Sequence, residues 1–143
     1  MNVLEQVNSI FPLIKIINEG IEKKANQALQ QFAITFSQMR ILMSLYYSVD
    51  ETYALKELEK IFNLSQQTIA GTVSRLEKKE LVASYTDQKD KRIKKVSLTP
   101  KGRELSVKGK EIVEETEEWL CSELSLEEQN IFLSLLQKIS VNM

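Results

Sequence analysis

The first part of the chain carries an apolar stripe at helical spacing. Six apolar residues recur at alternating steps of three and four, as on one face of an α-helix: Val3, Val7, Ile10, Ile14, Ile17 and Ile21. The pattern predicts a helix over roughly residues 3–31, on the order of 40 Å long, which the rest of a small monomer could not cover. Pro12 lies inside this stretch, so it either kinks the helix or marks the start of its continuous part.

A second helix is indicated by its cap and by its own apolar stripe. Thr35, followed three residues later by Gln38, is the pattern of a capping box at a helix N-terminus. The side predicted to be buried carries four residues: Met39, Leu42, Leu45 and Tyr46. After this helix, residues 50–53 form a connector with some strand character.

Two helices joined by a short turn follow. Residues 55–62 are predicted to form a short helix and residues 63–64 a turn. Ser65 is then the N-cap of a helix that reaches about Lys79. This arrangement is typical of a helix-turn-helix, in which the N-terminal residues of the second helix approach base edges in the major groove of DNA.

The helix after Ser65 has two distinct faces. At 100° per residue, Ile69, Val73 and Leu76 cluster on one side and are predicted to face the core. No acidic residue lies near the opposite side of the helix. Eight residues on or just before the helix are candidate DNA-binding residues: Ser65, Gln66, Gln67, Thr68, Gly71, Ser74, Arg75 and Lys78. Gln66 and Gln67 are best placed for base edges. Because glutamine pairs with adenine, we expect some A·T content in the bound sequence.

An ordinary solvated helix face is the alternative interpretation. Gly71 argues against it, because glycine in the exposed centre of a helix costs about 1 kcal/mol relative to alanine. A close approach of DNA to the helix backbone would explain the glycine.

A basic hairpin comes next. Two β-prone segments, residues 81–86 and 94–98, flank a polar tip with a local charge of +3, made of Lys89, Lys91, Arg92, Lys94 and Lys95 against Asp87 and Asp90. Lys89, Asp90, Lys91 and Arg92 are candidates for DNA contact. Asp90 is positioned to orient the Arg92 guanidinium by a bidentate pair. The alternative is a hairpin whose lysines only keep it soluble.

Two more helices complete the chain. Thr99 as N-cap and Pro100 in the first turn begin a long helix that runs to about residue 123. Ser125 and Glu128 form another capping box, and the final helix carries an apolar set: Leu126, Ile131, Leu135, Leu136 and Ile139. The predicted fold class is therefore mainly α with a two- or three-stranded β-wing, a winged helix-turn-helix of six helices.

The charge distribution and the residue composition limit the classes of function that this chain can have. The net charge of the 143 residues is −1, but residues 56–103 carry +6 and the remainder −7, which is the footprint of a DNA-binding lobe on an acidic scaffold. The chain has no histidine, the commonest general acid/base and a frequent zinc ligand, so we expect neither an enzyme nor a metal or other cofactor. A single cysteine, Cys121, fits a reducing compartment, and no apolar run approaches the ~20 residues of a membrane span. We therefore expect a cytoplasmic protein without a membrane partner.

Residues 58–102 resemble the winged-helix core of the MarR (multiple antibiotic resistance regulator) family. The matching elements are these: Leu64-Ser65, Leu76-Glu77-Lys78-Lys79, Leu81-Val82, Asp87, Asp90-Lys91-Arg92, Val96-Ser97-Leu98-Thr99 and Gly102. The chain departs from the usual family pattern at Glu59, Ala70, Gly71, Glu80 and Ser84. Glu80 stands where the family usually has a glycine.

The resemblance implies a homodimer. Residues 1–33 and 101–143 would form dimerisation helices around a DNA-binding lobe at residues 34–100. It further implies that Arg92 contacts the minor groove and that Gln66, Gln67, Thr68 and Arg75 contact DNA from the recognition helix. The predicted partner is a double-stranded, pseudo-palindromic operator. The predicted function is sequence-specific transcriptional regulation, by a repressor that a small organic ligand releases.

Members of this family often respond to small aromatic acids or lipophilic compounds. Five aromatic residues are candidates for lining such a pocket, with core or dimer-interface packing as the alternative: Phe11, Phe36, Tyr46, Tyr47 and Trp119. The alternative function for the whole chain is a winged-helix module that binds an acidic protein rather than DNA.

Overall fold

The computed structural model describes residues 8–143. Within them the chain forms six α-helices and one three-stranded sheet, with these bounds: α1 Ile10–Leu29, α2 Phe36–Tyr46, β1 Thr52–Ala54, α3 Leu55–Phe62, α4 Gln66–Lys78, β2 Val82–Thr86, β3 Lys94–Leu98, α5 Pro100–Leu120 and α6 Leu126–Ser140. The winged helix-turn-helix with six helices is confirmed. No helix in this part of the chain is both long enough and apolar enough to cross a membrane.

The first helix begins at Ile10, so Pro12 lies in its first turn. Proline is tolerated there because the N–H groups of the first turn have no partner within the helix. Of the two alternatives for Pro12, the start of the continuous helix is therefore the one observed. The part of the predicted helix at residues 3–7 lies outside the described residues. At the other end, a 3₁₀ turn over Gln30–Phe32 leads to Ala33, which has a left-handed backbone with φ of 54°.

The cap and the buried stripe of α2 follow the sequence prediction. The Gln38 backbone N–H donates to Thr35 Oγ1 at 3.2 Å, and the Thr35 N–H donates to Gln38 Oε1 at 3.2 Å. Met39, Leu42 and Leu45 are buried, while Tyr46 is half-buried. α2 packs against both α1 and α5, so it connects the first helix to the long fifth helix.

The wing contains a third strand. The strands are antiparallel in the order β1-β3-β2, with Thr52 opposite Ser97 and Val82 opposite Leu98. The hydroxyls of Thr52 and Ser97 also form a hydrogen bond of 2.7 Å. Of the residues 50–53 expected to have some strand character, Thr52 and Tyr53 are in the strand, which begins two residues later than expected and ends one residue later, at Ala54.

The junction between α4, β2 and α5 is tightly built. Thr99 donates its backbone N–H to Leu81 O at 3.1 Å and its hydroxyl to Glu80 O at 2.6 Å. A Cβ on Gly102 would lie 2.0 Å from Leu81 O, so a side chain does not fit at this position. Glu80 itself has a φ of 61°, the left-handed conformation that favours glycine.

One apolar core joins the lobe and the scaffold. It includes Leu29 of α1, Leu42 of α2, Leu58 of α3, Leu76 of α4 and Val96 of β3. In contrast, α6 contains no buried residue, although the predicted capping box of Ser125 and Glu128 is present. The long helix ends at Leu120 rather than at about residue 123, and the division into segments 1–33, 34–100 and 101–143 stays a prediction.

Candidate nucleic-acid interface

The turn between α3 and α4 sets the angle of the recognition helix. Asn63 adopts a left-handed conformation with φ of 50°, and its N–H donates to Lys60 O at 3.3 Å. Ser65 Oγ accepts from the Thr68 N–H at 3.2 Å and lies 2.9 Å from Thr68 Oγ1. The Thr68 hydroxyl is therefore engaged in the cap. The side chains of Gln66 and Gln67, in the same turn, form no hydrogen bond with any residue from 8 to 143.

The two faces of α4 are as predicted. Ile69, Val73 and Leu76 are buried with at most 3% of their surface exposed. Seven of the candidate DNA-binding residues on or before this helix are exposed: Ser65, Gln66, Gln67, Thr68, Ser74, Arg75 and Lys78. The exposed face formed by these seven residues is polar and contains no acidic residue. It is therefore available to a negatively charged ligand such as DNA.

Gly71 is half-buried on this helix beside Arg75. A Cβ at Gly71 would lie 3.7 Å from Arg75 Nη1, which is an ordinary van der Waals distance to the end of a flexible side chain. Packing within the chain therefore does not require a glycine here.

The wing tip is organised around Asp87. Its Oδ1 accepts from the backbone N–H groups of Lys89 at 2.7 Å and Asp90 at 3.1 Å, and its Oδ2 pairs with Lys95 Nζ at 2.9 Å. The Lys95 ammonium and these N–H donors stabilise the carboxylate and lower the pKa of Asp87 to about 2. Lys95 is thus used inside the hairpin, whereas Lys89 and Lys91 are exposed.

Arg92 is held in a fixed orientation by Asp90. The Arg92 Nε donates to Asp90 Oδ1 at 3.1 Å and Nη2 donates to Oδ2 at 3.1 Å, which is the bidentate pair that the sequence predicts. The guanidinium lowers the pKa of Asp90 below its ordinary value, and the carboxylate raises the pKa of Arg92. The Arg92 side chain is nevertheless 90% exposed, so its remaining donors point to solvent.

An open groove connects the wing to the recognition helix. It has a volume of about 530 Å³, and its lining includes Gln66 at the start of α4 and Arg92 on the wing. Lys56 and Lys94 line it too. We did not single out Lys56 or Lys94 as site residues from sequence, although both lie in the basic segment, because no motif distinguishes them from other lysines. Glu59 also lines the groove.

Comparisons with known proteins place this geometry in a family. Residues 34–94 match the model described as "MarR family". Over 117 residues, the chain is 31% identical to the uncharacterised HTH-type transcriptional regulator YsmB of Bacillus subtilis, covering 82% of this chain and 77% of YsmB. The chain belongs to the MarR family. It is thus a MarR-family transcriptional regulator with a DNA-binding winged helix, and not an enzyme.

Two further relatives extend the MarR-family match. The chain is 30% identical over 92 residues to the HTH-type transcriptional regulator SarZ of Staphylococcus aureus, which covers 64% of this chain and 60% of SarZ. The crystal structure of an S. aureus MepR–DNA complex superposes with a TM-score of 0.86 at 29% identity, covering 96% of this chain and all of the MepR chain. The similarity therefore includes the scaffold helices as well as the winged helix.

The five aromatic residues proposed for a MarR-family ligand pocket do not gather in one protomer. Phe36 lines a cavity of about 220 Å³ between α1, α2 and α5, and none of the other four lines it. The rings of Tyr46 and Tyr47 pack edge to face, with 5.1 Å between their centroids. Phe11 is 83% exposed, and Trp119 packs under Lys24 Nζ at 5.4 Å. The single protomer does not bring the five residues together, so a ligand pocket lined by all of them stays a prediction.

In the described part of this MarR-family chain, side chains that could bind a metal ion do not cluster. Within residues 8–143, no three acidic or cysteine side chains lie close enough together to hold a metal ion.

Proposed function

We propose that this MarR-family regulator is a homodimeric repressor that binds a pseudo-palindromic DNA duplex and is released by a small organic ligand. The observation that carries the proposal is the groove shared by Gln66 and Arg92, because it joins the two DNA-reading elements of a winged helix. MepR, whose chain superposes along its whole length, was solved in complex with DNA. Because such a regulator acts on the chromosome, we expect it in the cytoplasm.

The recognition helix would read bases in the major groove. Gln66 and Gln67 are exposed in its first turn, and each amide can donate to and accept from an adenine edge. Arg75 and Lys78 lie about two and about three turns further along, where cations contact phosphates and fix the register of the helix. Ala70 and Gly71 add no side-chain donor between them, so direct readout rests mainly on the glutamines.

The wing would add a minor-groove contact. Narrow minor grooves concentrate negative potential and favour an inserted arginine. Arg92 suits this role because Asp90 already limits its rotamers while 90% of the side chain remains exposed. Less conformational entropy is then lost on binding than for a free arginine.

Dimerisation is supported by the apolar surface of the scaffold. An isolated helix of 15 residues is marginal in water, yet α6 has that length and buries no residue within the protomer. Its exposed large apolar residues include the following: Leu126, Ile131, Leu133, Leu135, Leu136 and Ile139. Ile10, Phe11, Ile14 and Ile17 of α1 are exposed too. A second copy would cover these surfaces and place two recognition helices on successive half-sites.

Selection of bound duplexes from a random pool tests the proposal. We expect an enriched pseudo-palindrome whose half-sites lie about one helical turn apart, and an affinity that falls steeply with salt because phosphate contacts release counterions. Repression follows if a reporter promoter that overlaps the selected sequence is silenced by the protein. A pool that yields no enriched sequence at low salt, together with capture of an acidic protein partner through the wing, would contradict the proposal.

A further inference from the structure

Glu59 brings a carboxylate into the groove between the wing and the recognition helix. Its side chain lines this groove together with Gln66, the first residue of α4, and with Arg92 of the wing. Glu59 lies in the second half of α3 and is half-buried. An acidic side chain is thus present among the residues that face the proposed DNA site, although the exposed face of α4 described above contains none.

The Glu59 carboxylate has no cationic partner within residues 8–143. None of the ion pairs in this part of the chain involves Glu59. Lys56 and Lys94 line the same groove and are exposed, but neither pairs with it. The other carboxylate that lines the groove, Asp90, is paired with Arg92 at 3.1 Å. Of these two carboxylates, Glu59 is therefore the one available to a donor from outside the chain.

The lysines of the groove favour the approach of a nucleic-acid strand to Glu59. In a helix-turn-helix, the first helix crosses the DNA backbone while the start of the second helix reaches base edges. Lys56 on α3 and Lys94 on β3 supply cations for phosphates at this crossing. Glu59 lies about one helical turn beyond Lys56 and shares the groove with Gln66. It is therefore placed where contacts with the DNA backbone give way to contacts with bases.

The hydrogen-bonding capacity of a carboxylate limits what it can bind on DNA. An ionised carboxylate accepts hydrogen bonds and cannot donate them. Phosphate oxygens, N7 and O6 of guanine and O4 of thymine are acceptors as well, so they repel it. Adenine has an amino group next to the acceptor N7, whereas the major-groove edge of cytosine has an amino donor and no acceptor. Cytosine is therefore the base that best satisfies Glu59.

We propose that Glu59 is a specificity-determining residue that accepts a hydrogen bond from the N4 amino group of a cytosine, next to the base pair read by Gln66. The proposal rests on the DNA binding put forward above and names one base of the bound sequence. With any other base at this position, the carboxylate is desolvated against acceptors, which lowers the affinity. Glu59 thus discriminates chiefly by weakening the binding of wrong sequences.

Selection of duplexes from a random pool tests the assignment when the unaltered protein is compared with Glu59→Gln. We expect a C·G pair that the unaltered protein selects in each half-site to become degenerate in the sequences selected by Glu59→Gln. Gln66→Ala should instead relax the preference at a neighbouring base pair and keep the cytosine. Identical sequences selected by the unaltered protein and by Glu59→Gln would overturn the proposal.

Fluorescence anisotropy with two duplexes that differ only at this base pair measures the contact. Exchange of the C·G pair for T·A should raise the Kd of the unaltered protein at least tenfold, because thymine presents an acceptor in place of the amino group. The same exchange should raise the Kd of Glu59→Ala less than threefold. Glu59→Ala should also bind the T·A duplex more tightly than the unaltered protein does. A Kd lowered equally for both duplexes would mean that Glu59 only repels the backbone, and it would overturn base selection.

Two further variants separate the position of the carboxylate from its charge. Glu57→Gln is the matched control, because Glu57 is exposed on the same helix and does not line the groove. Its side chain accepts from the Ala54 N–H at 3.0 Å, and glutamine can accept the same hydrogen bond. Glu59→Asp keeps the charge on a shorter side chain, so it should lose the preference for cytosine and still bind the T·A duplex weakly. A change of preference in Glu57→Gln equal to that in Glu59→Gln would overturn the local contact.

Failure of this proposal can be distinguished from failure of the proposed function. Thermal unfolding identifies any variant that misfolds, and Glu59→Gln, which has nearly the same shape as the native side chain, then carries the test. If the unaltered protein and Glu59→Gln enrich the same duplex, DNA binding stands and the role of Glu59 is wrong. If the unaltered protein enriches no duplex at low salt, both proposals fail.

Discussion

Arg92 and Asp90 form a closed pair at the tip of the wing, with the guanidinium Nε and Nη2 each 3.1 Å from one carboxylate oxygen. The pair is only two residues apart in sequence, so the turn itself brings the groups together. An exposed ion pair of this kind contributes little to folding stability. Its consequence is that the most exposed cation of the described ion pairs, with 90% of its side chain accessible, is already paired with a carboxylate at the wing tip before any ligand binds.

Replacing Arg92 with alanine should therefore weaken DNA binding rather than folding. We expect the affinity for the selected duplex to fall by roughly 1–3 kcal/mol, and the slope of log K against log salt to become shallower by about 1. Arg92→Lys keeps the charge but not the bidentate geometry, so its affinity should lie between that of the unaltered protein and that of Arg92→Ala. Fluorescence anisotropy over a series of salt concentrations measures both quantities. Lys110→Ala is the control, because Lys110 is an exposed lysine in the middle of α5. An Arg92→Ala protein with the affinity and salt slope of this control would contradict the assignment of Arg92.

The wing tip should respond to acid through Asp87. The pKa of Asp87 is lowered to about 2 by Lys95 and by two backbone donors, below the ~3.9 of an unfolded aspartate. The stabilisation is therefore fully present above about pH 4 and is lost as the pH falls towards 2. Carboxyl carbon NMR should give a titration midpoint near 2 that rises in Lys95→Gln. Lys94→Gln is the control, because Lys94 is exposed at the neighbouring position, and it should leave the midpoint where it is.

Substitution of Gly71 should affect folding stability and DNA binding in opposite directions. A Cβ at Gly71 meets nothing closer than 3.7 Å, so Gly71→Ala should stabilise α4 by up to about 1 kcal/mol through helix propensity. If DNA approaches the helix backbone here, the same substitution should weaken duplex binding severalfold. Gly20→Ala is the matched control, since a Cβ at Gly20 also has an ordinary contact, 3.8 Å from Trp119. Urea unfolding and anisotropy together decide the point, and a Gly71→Ala protein that binds DNA as well as Gly20→Ala refutes the close approach.

Glu80 carries a conformation that its side chain does not favour. Its φ of 61° lies in the left-handed region, which costs a residue with a Cβ roughly 1–2 kcal/mol. Glu80→Gly should raise the free energy of unfolding by about 1 kcal/mol, because part of the gain is offset by the greater freedom of glycine in the unfolded chain. Glu77→Gly, three residues earlier inside α4, should lower it by a similar amount. Chemical denaturation of the two variants tests this, and a destabilised Glu80→Gly protein would disagree with the backbone geometry.

The apolar face of α6 should decide the oligomeric state. Ile131 is 54% exposed in the protomer, so an aspartate there costs little in the monomer but would bury an unpaired charge in a dimer. We expect Ile131→Asp to sediment as a monomer and to lose most of its affinity for a two-half-site duplex. Asn130→Asp adds the same charge at the neighbouring exposed residue and should remain dimeric. Monomeric behaviour of the unaltered protein at micromolar concentration would argue against the proposed dimer.

Local interactions explain how much of this fold could be predicted. The caps formed by Thr35, Ser65, Thr99 and Ser125 each reach only three residues along the chain, and the Asp90–Arg92 pair reaches two. Such contacts depend on spacing alone, and the chain carries that spacing in its sequence. The buried side of α4 follows from the helical period in the same way.

Contacts between distant residues required the tertiary structure. The third strand exists because Thr52 pairs with Ser97, 45 residues later, and Gly102 is required because α5 begins against the carbonyl of Leu81. The five aromatics looked alike in sequence, yet packing leaves Phe36 half-buried against the core and Phe11 exposed. By itself the sequence determined the helices, their caps, the basic wing and the family. The groove between Gln66 and Arg92 was decided only by folding, because its walls come from elements whose relative positions depend on the packing of the common core.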